Sequence, residues 1–347
     1  MFLYNREMLL IKTKLFLIIL ILSVFTPMTL QANDSVVPYS VEANLPDNQI
    51  NNDISYFDIE MEPGDSQTLK VTVYNSSAEE ITIHINNTIA STNSNGLIVY
   101  DGLEEDEEPH ESMEHPFRDI SSLESTEITV PAGEQEIVEV EVDAPEESFD
   151  GVILGGLHFT LEPDESSAEN SVMIQNRYSY ALAVQISEVG NSNEVSPDIE
   201  LLGVDPGVIN YRTGLQSEFV NTSSMIISGL TVEAGVYESD SEEALYTSNA
   251  EDFTVAPNSR FNFPVLYNNQ RLEAGDYIFK TSISNEYHSW EFEEEFEVTE
   301  ELANEANEEA VEVDEEDSNW LMYLVIALAI IIIVLIIILL MVLKRKK

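Results

Sequence analysis

Chemistry in a 347-residue chain without cysteine has to come from its five histidines, its hydroxyls or its 65 acidic side chains. Without thiols there is no disulfide framework, no zinc finger and no cysteine nucleophile. No histidine stands in a nucleophile or metalloprotease motif, and the chain holds no Gly-x-Ser-x-Gly elbow, no phosphate-binding glycine loop and no EF-hand loop. His110 and His115 belong to an acidic stretch, residues 104–114, where Asp101, Glu105 and Asp106 offer the oxygen donors that calcium takes. Nothing enforces a ligand spacing there, so the stretch reads as a solvated charged bulge, and neither metal nor cofactor is expected. Carboxylate pairs for glycoside chemistry are uninformative among so many acids. A glycosidase also needs an aromatic-lined cleft and a carboxyl with raised pKa. Two tryptophans, one of them in the apolar C-terminal segment, argue against it, and no enzyme is expected.

The backbone offers one further feature. Gly151, Gly155 and Gly156 interrupt the apolar run Val152, Ile153, Leu154 and Leu157. Glycines inside a strand mark a bulge, a tight strand approach, or a place where a ligand or partner backbone comes close.

The elements that position these residues read as short strands between turns. Pro63-Gly64-Asp65 turns, Leu69, Val71 and Val73 alternate with polar residues, Asn75-Ser76-Ser77 turns again, and Ile81, Ile83 and Ile85 alternate back. Period two on both arms predicts an antiparallel pair with one buried face. The same alternation recurs at Val138, Val140 and Val142, at Leu157, Phe159 and Leu161, and from Tyr178 to Ile186. A polar break at Gly190 to Asn193 precedes a second series: Leu230 to Val236 after Asn221-Thr222-Ser223, Phe261 to Val265 after Pro257-Asn258-Ser259, then Tyr277, Phe279, Trp290, Phe292, Phe296 and Val298. No convincing amphipathic helix competes. The chain is therefore all-β, with two tandem immunoglobulin-like β-sandwich domains over residues 33–189 and 194–298. Trp290 is expected in the core of the second.

Both ends carry targeting patterns. Residues 1–32 run from Arg6, Lys12 and Lys14 through an apolar stretch to Pro27 and Ala32, the order of a signal peptide, with a retained membrane helix as the rival reading. Trp320 to Leu343 gives 24 uncharged residues. At 1.5 Å per residue they span roughly 36 Å, enough for a hydrocarbon core of about 30 Å. Lys344, Arg345, Lys346 and Lys347 follow as a cytoplasmic tail, which places the N-terminal part outside. No Leu-Pro-x-Thr-Gly motif precedes the segment, so covalent wall attachment is not expected. Residues 299–319 hold ten acids and no base, and read as an extended acidic stalk.

Charge narrows the partners. Residues 33–319 contain seven Lys and Arg against 64 Asp and Glu. Nucleic-acid binding needs the opposite sign, and is excluded.

Taken in order, several short motifs resemble the WxL-interacting protein family of Gram-positive bacteria. They are Leu45-Pro46-Asp47-Asn48-Gln49, Ser55-Tyr56-Phe57-Asp58, Pro63-Gly64, Thr92-Asn93-Ser94-Asn95-Gly96 with Tyr100, and Phe149-Asp150-Gly151-Val152-Ile153-Leu154-Gly155-Gly156, then Ala256-Pro257-Asn258-Ser259, Ala274-Gly275-Asp276-Tyr277 and Trp290-Glu291-Phe292. The resemblance implies a non-catalytic surface protein with a peptidoglycan-binding domain, a host-binding domain and a membrane anchor. Its implied partners are peptidoglycan, surface proteins bearing Trp-x-Leu motifs and, through the second domain, host matrix proteins. The chain has no Trp-x-Leu of its own, as befits the partner of such proteins.

Glycan contacts are then expected where amide side chains supply both donors and acceptors, at Asn48, Gln49, Asn93 and Asn95, with Tyr56 or Tyr100 as a stacking ring and Gly155 and Gly156 as points of close approach. The competing reading of the Asn and Gln positions is turn and strand-end chemistry.

Overall fold

The computed structural model describes residues 37–103, 107–162, 178–188, 190, 195–311 and 328. The expected signal peptide (1–32), the expected membrane segment (320–343) apart from Leu328, the basic residues 344–347, Glu105 and Asp106 lie outside them. Among the described residues no helix is long and apolar enough to cross a membrane.

Among the described residues, sixteen strands form four principal sheets and two more form a small hairpin. The first sheet runs β1 (Tyr39–Asn44), β3 (Ser66–Asn75), β9 (Gln135–Asp143), β7 (Ser121–Leu123). The second runs β2 (Phe57–Met61), β11 (Ser179–Glu188), β10 (Val152–Leu161), β4 (Ile81–Ile89), β8 (Glu127–Val130). A small hairpin, β5 (Ser91–Thr92) and β6 (Ile98–Val99), follows β4. The third sheet orders β12 (Ile199–Ile209), β13 (Arg212–Asn221) and β16 (Arg260–Leu266). The fourth orders β15 (Ala244–Val255), β14 (Ile227–Glu238), β17 (Gly275–Ser284) and β18 (Ser289–Val298).

Period-two patterning explains these strands. Leu69, Val71 and Val73 on β3, and Val140 and Val142 on β9, are at most 1% exposed, while Lys70 and Glu139 between them face water and pair at 2.6 Å. Each fully buried Val, Leu or Phe contributes about 1.5–3 kcal/mol through loss of apolar surface. In the second sheet pair Phe219, Phe253, Phe261 and Phe279 form one aromatic core, with Phe219 and Phe261 stacked at 5.3 Å. Trp290 and Phe292 are half-buried and pack against that core.

One expected pairing is different. β3 and β4 are not hydrogen-bonded neighbours; β3 lies between β1 and β9, and β4 between β10 and β8. The Asn75-Ser76-Ser77 turn carries the chain from one sheet to the facing one. Two strands facing each other across a core show the same alternation as two lying side by side, so period two alone does not separate the cases.

The expectation of an extended stalk from 299 also fails over its first half. Glu300–Glu309 is a helix, α1, capped by Thr299 Oγ1, which accepts from Leu302 N at 3.2 Å, with Glu300 and Glu301 at the favourable end of the dipole. Ala303 and Ala306 are buried in the second core, and the side chain of Asn307 both accepts from Leu272 N at 2.9 Å and donates to Leu272 O at 2.8 Å. The charges sit on the solvent side of a helix whose small residues dock it.

Candidate functional site

Across the outer face of the second sheet, Gly156 on β10 lies between Thr88 on β4 and Ala183 on β11. This row of small residues leaves room for an aromatic ring. A Cβ on Gly156 would fall 2.6 Å from Tyr100 Cβ, so the glycine is what allows Tyr100 to cross the sheet. Thr88 Oγ1 donates to Tyr100 O at 2.6 Å and fixes it there. Burial pushes the Tyr100 phenol up, and neighbouring Tyr56, itself 37% exposed, adds to the effect. The structure thus seats Tyr100 against Gly156, with Tyr56 near enough to act on the Tyr100 phenol.

Polar side chains stand at nearby register positions of the sheet. Gln185 Nε2 donates to Asp58 Oδ1 at 2.9 Å. Desolvation raises the Asp58 carboxyl, against the lowering effect of that hydrogen bond, and Glu60 pushes it further up. On the other side His158 and exposed Asn86 are register partners on the same face. Two rings with amide, imidazole and hydroxyl neighbours suit a neutral, hydroxyl-rich ligand: the rings stack on its apolar face and the amides meet its hydroxyls.

The other expected positions do not join this face. Gly155 points into the core, where a Cβ would lie 2.3 Å from Phe117 Cβ. Asn48 exchanges both amide bonds with Gln67, at 2.8 and 2.9 Å, and donates to Glu60 O. Gln49 is 7% exposed and spans its own loop, donating to Asn51 O and Tyr56 O and accepting from Asp58 N. Asn93 Oδ1 accepts from Asn95 N and Leu97 N, closing the β5–β6 turn, with Asn95 exposed at its tip. These amides do turn and loop work. His110 Nδ1 lies 3.0 Å from Ser112 Oγ, and among the described residues no group of three acids or histidines is placed to hold a metal ion.

A junction between the two sheet pairs was not foreseen. Ala90, Leu154 and Ala256 form a small buried cluster. Around it Ala256 N donates to Thr92 Oγ1 at 2.8 Å, Thr254 N to Gly96 O at 2.9 Å, and Val152 N to Ser224 O at 2.7 Å. Gly96 (φ 73°) lies against the ring of Phe253, and Gly151 (φ 78°) against Ser224 O, where side chains would clash. Three motifs of the sequence, around Asn93, Asp150 and Pro257, converge here.

Comparison with protein families then decides the assignment. Residues 39–161 match the WxL Interacting Protein peptidoglycan binding domain, and residues 169–308 match the WxL Interacting Protein host binding domain. The chain belongs to the WxL-interacting protein family. Both matched families are binding domains, in keeping with a binding role at the cell surface. In this family member the two matches interlock, because β11 falls within the second match yet pairs with β10 and β2 of the first. Among curated proteins no sequence matches.

Several solved structures are distantly similar. The Escherichia coli chaperone DraB is 13% identical, over 75% of this chain and 98% of that one, at a TM-score of 0.28. The Pseudomonas aeruginosa CupB2 chaperone is 13% identical, over 67% and 92%, at 0.26. A PapD-like domain of human CEP192 is 9% identical, over 44% and 85%, at 0.27.

Proposed function

We propose that the protein is a non-catalytic scaffold, anchored by residues 320–343 with residues 33–319 outside the cell. Its first β-sandwich domain holds peptidoglycan, and the whole ectodomain docks surface proteins that carry Trp-x-Leu motifs. The observation that carries the wall-binding part is Tyr100 lying against Gly156 and bonded by Thr88, with the partly exposed Tyr56 nearby. Membership of the family supports the partner class. The charge balance supports a neutral contact: a strongly acidic surface gains nothing from the anionic groups of a wall, so affinity has to come from stacking and hydrogen bonds to sugar. Tethering raises the local concentration of wall and partner, so weak contacts suffice.

The test incubates the detergent-solubilised full chain with purified sacculi, and separately with a purified Trp-x-Leu surface protein. Retention by both supports the reading, and retention by neither removes it. A second reading, an adhesin for host matrix protein, is favoured by the host binding match over residues 169–308. It predicts that deleting residues 195–298 abolishes host attachment while wall retention survives.

A further inference from the structure

The β12–β13 hairpin pairs Ile199 with Asn221 at the junction end of the second sheet pair and turns at the opposite end. Both central residues of that turn are left-handed, Asn210 at φ 50° and Tyr211 at φ 65°. A two-residue hairpin needs such backbone, and Asn-Gly supplies it at least steric cost. A tyrosine in the second position carries a cost that packing does not return, because Tyr211 is 69% exposed. Its carbonyl accepts from Val311 N, and Val311 is itself 75% exposed. Beside the turn Ile209 and Leu266, both half-buried, meet over Gly214, each within 3.3 Å of where its Cβ would stand. Tyr267 N donates to Thr213 O, and Thr213 Oγ1 donates to Gln270 O at 2.6 Å. These bonds bring Arg212 and Arg271 to the same corner, both exposed, two of the seven Lys and Arg in residues 33–319.

This corner is also where the chain leaves the domain. Helix α1 takes up residues 300–309, so only eight residues, 312–319, separate Val311 from the uncharged segment that begins at Trp320. Even fully extended they reach roughly 30 Å. We propose that the corner formed by Ile209, Tyr211, Leu266 and Val311 rests in the headgroup layer of the membrane, with Arg212 and Arg271 meeting lipid phosphates. An exposed aromatic ring beside apolar and arginine side chains is what an interfacial contact requires. Exposed Glu273, Glu308 and Glu309 lie close in the chain, so charge alone does not draw this corner to lipid, and burial of the apolar groups supplies the contact. The β14–β15 turn at the same end carries exposed Glu238, Asp240, Glu242 and Glu243; anionic lipid repels it, which tilts the domain onto its β12–β13 corner. The proposal rests on the anchored reading above and goes beyond it. The tether limits distance, while this contact sets how the ectodomain stands on the cell.

The experiment reconstitutes the full chain in vesicles of phosphatidylglycerol and brominated phosphatidylcholine. Tyr211→Trp is compared with Tyr287→Trp, which lies at the opposite end of the domain where Tyr287 is 79% exposed. Fluorescence is read as the emission added to that of Trp290 and Trp320, which every chain shares. Brominated lipid is expected to quench about half or more of the emission added at Tyr211, at low salt and at about 500 mM alike, and none of that added at Tyr287. Val311→Ser with Arg271→Gln, in the Tyr211→Trp chain, is expected to remove most of the quenching. Tyr211→Gly, which suits the turn, is expected to melt no lower than wild type; a lower melting temperature would show that the ring serves folding and would overturn the proposal. Equal quenching at the two positions, or emission at Tyr211 that is blue-shifted yet blind to bromine because protein covers the corner, would overturn it while the anchor stands. If the wild-type chain fails to float with the vesicles, the anchored reading falls and takes this proposal with it.

Discussion

Asn75 and Asn221 hold equivalent corners of the two sheet pairs. The Asn75 side chain donates to Glu79 O and Val130 O and accepts from Ser77 N; Asn221 donates to Met225 O and Ala256 O and accepts from Ser223 N. Their backbone N–H groups also match, bonding Glu134 O and Ser259 O. The sheets around them repeat: β1-β3-β9 corresponds to β12-β13-β16, and β11-β10-β4-β8 to β18-β17-β14-β15. Each Asn ties the sheet-switching turn to the turn that enters the next strand of the first-named sheet.

Asn75→Ala or Asn221→Ala therefore strands several buried backbone groups at once. Each is expected to destabilise its sandwich by about 3 kcal/mol. Denaturant unfolding checks this; a loss below 0.5 kcal/mol, as at ordinary surface sites, would show the corners to be dispensable.

Much of this was legible in sequence. Leu69, Val71, Val73, Val140 and Phe159 announce their strands by alternation, and Asn75-Ser76-Ser77 and Asn221-Thr222-Ser223 announce turns. Whether a turn closes a hairpin or crosses to a facing sheet depends on long-range partners such as Val130 and Ala256, which local pattern does not encode. The α1 helix was hidden for a different reason: its apolar side is only Ala303, Ala306 and the stem of Leu302, too small to outweigh the surrounding glutamates. In the candidate site, Tyr56, Tyr100 and Gly156 were readable as ring and gap. Asn48 and Gln49 were not readable as internally paired, because a carboxamide able to bind sugar is equally able to bind backbone.

Removing β11 should undo the first sandwich. A fragment of residues 39–161 leaves β10 and β2 without the strand that joins them. It is expected to lack dispersed amide signals in NMR, whereas residues 37–188 show a folded spectrum. Equal folding of the two fragments would contradict the interlocked arrangement.

Alkaline pH should act through Tyr39. Its hydroxyl donates to Phe159 O at 2.9 Å and Tyr178 O at 3.1 Å, and burial pushes its pKa up to about 12, with Tyr180 adding to the rise, against 10 for an unperturbed tyrosine. The folded state keeps a proton that the unfolded chain loses above pH 10, so this stabilisation is complete below 10 and drains away as pH climbs toward 12. Tyr39→Phe is expected to cost about 1–2 kcal/mol at neutral pH and to flatten the decline between those values. Thermal melts across that range would detect it; an unchanged slope would place the alkaline sensitivity elsewhere.

Helix α1 should behave as part of the second sandwich. Ala303→Asp puts an unpaired charge where Ala303 is 6% exposed, and is expected to destabilise by about 3 kcal/mol; Asn307→Ala removes the two bonds to Leu272 and costs about 1–2 kcal/mol. Thermal unfolding of the variants would reveal both. Melting temperatures equal to wild type would return these residues to the status of a free stalk.

The central claim is a neutral-sugar contact between the Tyr56–Tyr100 face and the wall. It is tested most directly by co-sedimentation of the full chain with purified sacculi, for wild type and for Tyr56→Ala combined with Asn86→Ala, from 50 mM to about 500 mM salt. The account predicts that wild-type retention holds or rises as salt screens the repulsion between acidic protein and acidic wall, and that the double variant loses at least 10-fold at every salt concentration. Retention that collapses with salt and ignores the two substitutions would mean that charge, not this face, holds the protein to the wall.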